Sequence, residues 1–138
     1  VTVTDTPPIT TTTHRTTFAV PADTNAPALT RHITARYLHG DPRTDNAVLI
    51  LSELVTNSVL HSCSRGRGSV EIIIELADYG QTLRLTVIDA GPAPRIRRAR
   101  GENGGLGYAI IHKTASRHGA TVTGDRGVYW AELTTPAP

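Results

Sequence analysis

The sequence predicts an α+β fold: a two-layer α/β sandwich whose mixed, mostly antiparallel sheet is covered on one face by about three helices. Three observations predict it. Helical apolar spacing recurs in three segments, and strand-like segments recur five times. Two pairs of those strand-like segments are joined by short glycine-containing turns, as antiparallel neighbours are. The 138 residues amount to one domain, and a chain of that length buries about two-thirds of its unfolded surface.

The elements follow in order. Residues 1–14 are rich in threonine and proline and poor in apolar side chains, so a disordered tail is expected there. Arg15–Val20 alternates and is β-rich, a first strand closed by Pro21. Asn25–Leu38 carries apolar residues at Ala28, Leu29, Ile33, Ala35, Tyr37 and Leu38, with Pro27 in the first turn and Gly40 as a stop. Asp41-Pro42 reads as an N-cap and a first-turn proline, opening the longest helix, which runs to about Ser62. Ser64–Gly68 is a loop, and Ser69–Ala77 and Thr82–Asp89 form a hairpin around Tyr79-Gly80. Residues 90–103 are a long loop rich in glycine, proline and arginine, of the kind that is functional or disordered. Leu106–Arg117 returns to helix and stops at His118-Gly119; Ala120–Gly124 and Val128–Thr134 are the last strands. The structured domain is thus expected over 15–134, with 135–138 as a C-terminal tail.

Charge and composition exclude several functions. The net charge is +2, yet 13 of the 14 basic residues are arginine, and Arg95, Arg97, Arg98 and Arg100 crowd one loop. A local cluster fits a discrete anionic ligand better than the spread basic face of a nucleic-acid binder, and no interleaved aromatics are present for base stacking. Cys63 is the only cysteine, which excludes an internal disulfide framework. The histidines lack close metal-ligand spacing. No apolar run is long enough to span a bilayer, and the first residues do not read as a secretory signal. A cytoplasmic setting is the expectation.

Three stretches carry chemistry. Glu53, Asn57 and His61 recur at every fourth residue, so they line one stripe of the long helix. That stripe is either a solvated face or a base with an oxygen ligand for a hard cation such as Mg²⁺. In Val87-Ile-Asp89-Ala-Gly91, an aspartate ends an apolar strand; it either caps a turn or accepts from a ligand amine such as that of adenine. In Asn103-Gly-Gly105-Leu106-Gly107, glycines run into a helix, either as a plain connection or as a backbone N–H cradle for phosphate.

In this order and spacing, the stretches resemble the GHKL (Bergerat-fold) ATPase superfamily, and more narrowly its anti-sigma-factor serine/threonine kinase branch. Glu53 to His61 resembles the N box, Asp89-Ala-Gly91 the G1 box, and Gly105-Leu106-Gly107 the G2 box. Gly127 to Leu133 resembles the domain's last strand, so the resemblance covers roughly Arg15 to Leu133.

The resemblance implies roles. Glu53 would activate a hydroxyl nucleophile, and Asn57 would hold Mg²⁺ against the ATP phosphates. Asp89 would accept from the adenine amine, with Gly91 making room for the base. Gly105, Leu106 and Gly107 would meet the phosphates, and the arginine-rich stretch, with Arg100, would be the lid. His61 reads as a packing or hydrogen-bonded histidine. The chain departs from the family pattern at Ala93, at Asn103 and Leu106, and at Val128, which stands where a threonine assisting adenine binding is common. The implied function is an ATP–Mg²⁺-dependent kinase acting on an anti-sigma antagonist-like protein and so controlling transcription. A sigma factor and a second copy of the chain are further candidate partners; direct nucleic-acid and membrane binding are not expected. The alternative is a non-catalytic, ATP-sensing, partner-binding module of the same fold.

Overall fold

The computed structural model describes residues 12–62, 68–91 and 105–135. Five strands, β1 (Thr12–Pro21), β2 (Ser69–Ala77), β3 (Thr82–Asp89), β4 (Arg117–Val122) and β5 (Gly127–Thr134), form one sheet in the order β1-β2-β3-β5-β4. Every pairing is antiparallel. The helices are α1 (Ala26–Tyr37), α2 (Thr44–His61) and α3 (Gly105–Thr114). Helix α2 lies over the central strands, α1 beside it towards β1, and α3 on its other side towards β4. This is the expected α+β sandwich, and the described sheet is wholly antiparallel rather than mixed. The first eleven residues of the expected tail, and residues 136–138, lie outside the described residues.

Period-two alternation sorts each strand into two faces. Ile72 and Ile74 of β2, Leu83, Leu85 and Val87 of β3, and Ala131 and Leu133 of β5 point to the helices. They meet Ile50, Leu51, Leu54, Val55 and Val59 of α2 in one apolar core. Burying such side chains stabilises by about 1.5–3 kcal/mol each before entropy is counted. The opposite face carries a different pattern. Arg15, Glu75, Arg84, Glu132 and Arg117 are successive cross-strand partners, one from each strand, and their charges alternate in sign. Ion-pair contacts run along the row: Arg15–Glu75 at 3.8 Å, Arg84–Glu132 at 3.6 Å and Arg117–Glu132 at 3.7 Å. Beside the row, Trp130 is 3% exposed, with the guanidinium carbons of Arg84 and Arg117 at 4.9 Å and 5.9 Å from its ring centre.

Four local expectations are corrected. First, α2 begins at Thr44 rather than at Asp41-Pro42. Asp41 instead caps a turn: its Oδ1 accepts from the backbone N–H and Nε of Arg43 at 2.8 and 2.9 Å, and its Oδ2 from Nη2 at 2.8 Å. The same guanidinium donates to the carbonyls of Gly80 and Gln81, both at 3.0 Å, and of Leu133 at 3.4 Å. Arg43 thereby ties the start of α2 to the β2–β3 turn and the end of β5. Its side-chain hydrogen bonds hold the Asp41 carboxyl below its ordinary range, against the opposing effect of burial.

Second, α1 buries Ala26, Thr30 and Thr34, followed by its buried C-cap Leu38, while Leu29 and Tyr37 are exposed. A stripe of mostly small residues at every fourth position sets the helix close to its neighbours, and the larger side chains flank it. Third, α3 ends at Thr114, and Arg117, His118 and Gly119 belong to β4. Gly119 is a site of close approach rather than a helix stop, since a β-carbon there would stand 2.8 Å from Cζ2 of Trp130. Fourth, β1 starts at Thr12, three residues before Arg15, and Thr12 pairs with Ala77 across an irregularity in register.

Candidate functional site

Three element ends converge at one edge of the sandwich. Arg43 fixes the start of α2 at the β2–β3 turn, where β3 also starts. The 18 residues of α2 span about 27 Å and the eight of β3 about 26 Å, so the end of α2 and the end of β3 reach the same level. Helix α3 runs the other way. Two residues past its end at Thr114, Ser116 donates from both its N–H and its Oγ to the Glu132 carbonyl at 2.8 Å, well along β5 from Gly127. The start of α3 therefore rises towards the level of Asp89.

Asp89 closes β3 and is only 6% exposed. A carboxylate so placed needs donors, and Oδ1 accepts from the N–H of Gly91 at 2.8 Å. Its cross-strand partner is Gly127. A β-carbon on Gly127 would stand 2.6 Å from Asp89 Oδ1, 2.8 Å from Tyr129 Cε2 and 2.9 Å from the Tyr129 hydroxyl. Any β-carbon there would have to displace the Asp89 carboxylate or the Tyr129 ring. Gly91 has φ +86°, and a β-carbon on it would meet the backbone N of Arg126 at 2.8 Å. It thus lets the chain after Asp89 lie against the β4–β5 turn.

Glu53, Asn57 and His61 do share one flank of α2, and all three are half-buried. Arg31 of α1 donates to Ser52 Oγ at 3.0 Å, which places α1 against the other flank. The stripe thus borders the side where α3 packs, with Asn57 and His61 in the last turns, at the level of Asp89. The Nδ1 of His61 is buried. Gly105, Leu106 and Gly107 form the first turn of α3, whose leading N–H groups have no partner within the helix. Further along α3, His112 Nδ1 and His118 Nε2 of β4 stand 3.3 Å apart. Burial, and then the nearby His112, lower the His118 pKa below its ordinary value. Arg100, with Arg95, Arg97, Arg98, Ala93 and Asn103, lies outside the described residues, as does Cys63.

Sequence reasoning placed the last strand's polar position at Val128. The alternation turns Val128 away with Trp130 and Glu132, and leaves Gly127 and Tyr129 on the face of Asp89. Tyr129 lies on that face because counting by twos back from the core residues Leu133 and Ala131 reaches it. Among the described residues no group of three or more His, Cys, Asp or Glu side chains could hold a metal ion. None of the described helices is long and apolar enough to cross a membrane.

Known proteins share this fold. In structure, the chain is similar to the RsbU and RsbW domains of Rv1364c from Mycobacterium tuberculosis, with a TM-score of 0.69 and 21% identity. That match covers 91% of this chain and 34% of the other, so the chain spans about a third of that structure's length. It is also similar to the SiaB–SiaC complex from Pseudomonas aeruginosa, with a TM-score of 0.64 and 13% identity over 86% of this chain and 88% of that one. No curated protein matches the sequence significantly. The family profile described as histidine kinase-like ATPase domain matches residues 20–128, from the end of β1 to the start of β5. By that match the chain belongs to the histidine kinase-like ATPase domain family.

Proposed function

We propose that this chain is an ATP- and Mg²⁺-dependent serine/threonine kinase of the anti-sigma-factor type, which phosphorylates an antagonist protein and so regulates transcription. The observation that carries the nucleotide part is the Asp89 carboxylate, buried at the end of β3 opposite a glycine whose β-carbon would stand 2.6 Å from it. A fixed, desolvated acceptor of this kind suits the exocyclic amine of adenine. Family membership implies ATP binding. The first turn of α3 offers N–H groups and the positive end of a helix dipole to the phosphates.

The donor set fits Mg²⁺ in one way. Asn57 would supply one oxygen ligand from the protein, and ATP phosphates and water would supply the rest. The bound ion would neutralise phosphate charge during transfer. Glu53, one turn before Asn57 on the same flank, would take the proton of an attacking hydroxyl. Phosphoryl transfer asks mainly for positioning and electrostatics, which suits a domain of this size. Support for a protein substrate comes from the anti-sigma-kinase pattern of the N, G1 and G2 boxes, and from the RsbW domain and the two-protein complex named among the similar structures.

The test is a thermal-shift titration with ATP and Mg²⁺, followed by transfer of labelled phosphate to candidate antagonist proteins. A ligand present at 100 times its Kd raises stability by about 2.7 kcal/mol. No shift with ATP removes the nucleotide reading. A shift with no transfer to any partner favours the non-catalytic switch module.

A further inference from the structure

We propose that the contact between His112 and His118 is an acid-sensitive latch: it ties α3 to β4 while the pair holds at most one extra proton, and opens when both rings are charged. Its consequence for a ligand rests on the nucleotide-binding reading above; the latch itself does not. The two residues lie on either side of the short link from α3 to β4, and His112 Nδ1 stands 3.3 Å from His118 Nε2. Their rings meet edge to face, with centres 5.5 Å apart and planes at 85°.

Two imidazoles so placed take up protons in steps. The neutral tautomers that fit this contact put a hydrogen on one nitrogen and leave the other to accept it. One added proton keeps that bond, because an imidazolium donates from both nitrogens and its neutral partner still accepts. A second sets N–H against N–H, with two positive charges side by side. The first belongs on His112, which is exposed and in the last turn of α3, where the helix dipole favours a cation. The second must then enter the half-buried His118. Burial first, and the charge of His112 second, lower its pKa, and no described carboxylate opposes them. The latch therefore stays shut at neutral pH and opens below the ordinary histidine range.

The neighbouring elements give the second proton little relief. Lys113 follows His112 on α3, and Arg117 precedes His118 on β4, its side chain on the opposite face. Strand β5 sets Ala131 across from His118, with Leu133 and the Tyr129 phenol next to it on the same face. Helix α2 brings Glu53 and His61 to the other flank of α3, since Ile111 is buried and His112 lies about 100° round the helix from it, towards β4. Ten residues make α3 too short to hold its place unaided. Opening the latch lets the helix shift as a rod, and its first turn, which meets the phosphates in the reading above, shifts with it.

The test compares the full chain with His118→Gln, whose amide reaches where Nε2 stood but takes no proton. Amide hydrogen exchange of residues 109–114, corrected for intrinsic rate, is read without nucleotide at pH 7.5 and pH 5. Wild type is expected to lose about tenfold in protection on acidification, the worth of one pKa unit between shut and open latch. His118→Gln is expected to lose none. Calorimetric titration with ATP and Mg²⁺ should show the same contrast, about tenfold weaker binding by wild type at pH 5 beyond any change in the variant. The variant shares the nucleotide's own protonation, so the ratio isolates the latch. His112→Gln, at an exposed position, is expected to match His118→Gln and serves in its place should that variant not fold. An acid response equal in wild type and either folded variant overturns the latch. Wild type that binds no ATP at either pH removes the nucleotide reading, and the exchange comparison then decides the latch alone.

Discussion

Asp89 and Gly127 face each other across β3 and β5 so closely that the carboxylate occupies the space a β-carbon on Gly127 would need, at 2.6 Å. Gly127→Ala must therefore push Asp89 or the Tyr129 ring aside. Overpacking of this kind costs about 1–3 kcal/mol. The variant is expected to unfold at a lower temperature and to bind ATP at least about tenfold more weakly, read by scanning and titration calorimetry. Wild-type affinity in a folded Gly127→Ala protein would mean that the carboxylate does not touch the nucleotide.

Asp89→Ala and Glu53→Ala should fail in different ways. Losing a charged acceptor of the base costs on the order of 2 kcal/mol, so Asp89→Ala is expected to bind ATP about thirtyfold more weakly. Glu53→Ala is expected to keep ATP affinity while phosphate transfer slows by roughly 10²–10⁴. Equal transfer by wild type and Glu53→Ala assigns the base elsewhere.

Arg43 holds the start of α2 through five hydrogen bonds to Asp41, Gly80, Gln81 and Leu133 from its side chain. Arg43→Ala leaves the buried part of that set unsatisfied, and a loss of about 3 kcal/mol is expected. The pH dependence follows from the lowered Asp41 pKa. A carboxyl whose folded pKa is depressed contributes stability above its unfolded pKa and loses it as pH falls through the folded value. Denaturant midpoints from pH 6 down to pH 2 should thus fall more steeply in wild type than in Arg43→Ala. Parallel slopes would detach Asp41 from the acid response.

His118 behaves oppositely to a histidine held by a carboxylate. Its pKa is lowered, first by burial and then by His112. The unfolded chain therefore takes up the proton first, and stability falls as pH drops below the unfolded value and through the folded one. His112→Ala should raise the His118 pKa only part of the way, because burial remains the larger cause. Imidazole titration by NMR reads this directly; full return to the ordinary value would put the charge of His112 first.

Glu132 stands between Arg84 and Arg117, and both its side chain and that of Arg84 are buried. Glu132→Gln strips Arg84 of its nearest counter-charge on one side. A loss of about 3 kcal/mol is expected in urea denaturation. The pair Arg84→Met with Glu132→Leu should recover much of it, since apolar replacement of both partners is often neutral. A double variant no better than the single one would locate the cost in shape.

Most of the architecture was legible because it rests on local patterns. The hairpin of β2 and β3 and the long helix α2 are written in apolar spacing, and the motif residues of α2 and β3 fall where that spacing puts them. Errors came where one residue type serves two purposes. Asp41-Pro42 has the form of a helix start, but Asp41 was claimed by Arg43, whose partners are the far-off carbonyls of Gly80, Gln81 and Leu133. Gly119 has the form of a helix stop, but it makes room for Trp130. In the site, Asp89 could be found by its place after an apolar strand. The cradle at Gly127 could not, because it exists only once β3 and β5 are in register.

The alternating row across the sheet face opposite the described helices acts as a check on that register. Each strand supplies one charge, so the row is complete only when all five strands are aligned at once. A one-residue slip would turn apolar side chains outward and is already penalised. A two-residue slip would keep every apolar side chain on its proper face, and apolar burial alone would tolerate it. It would also bring Trp130 or Thr134, rather than Glu132, opposite Arg84. The charges therefore proofread the alternative that the core overlooks, and the pairing they enforce is the one that sets Asp89 against Gly127.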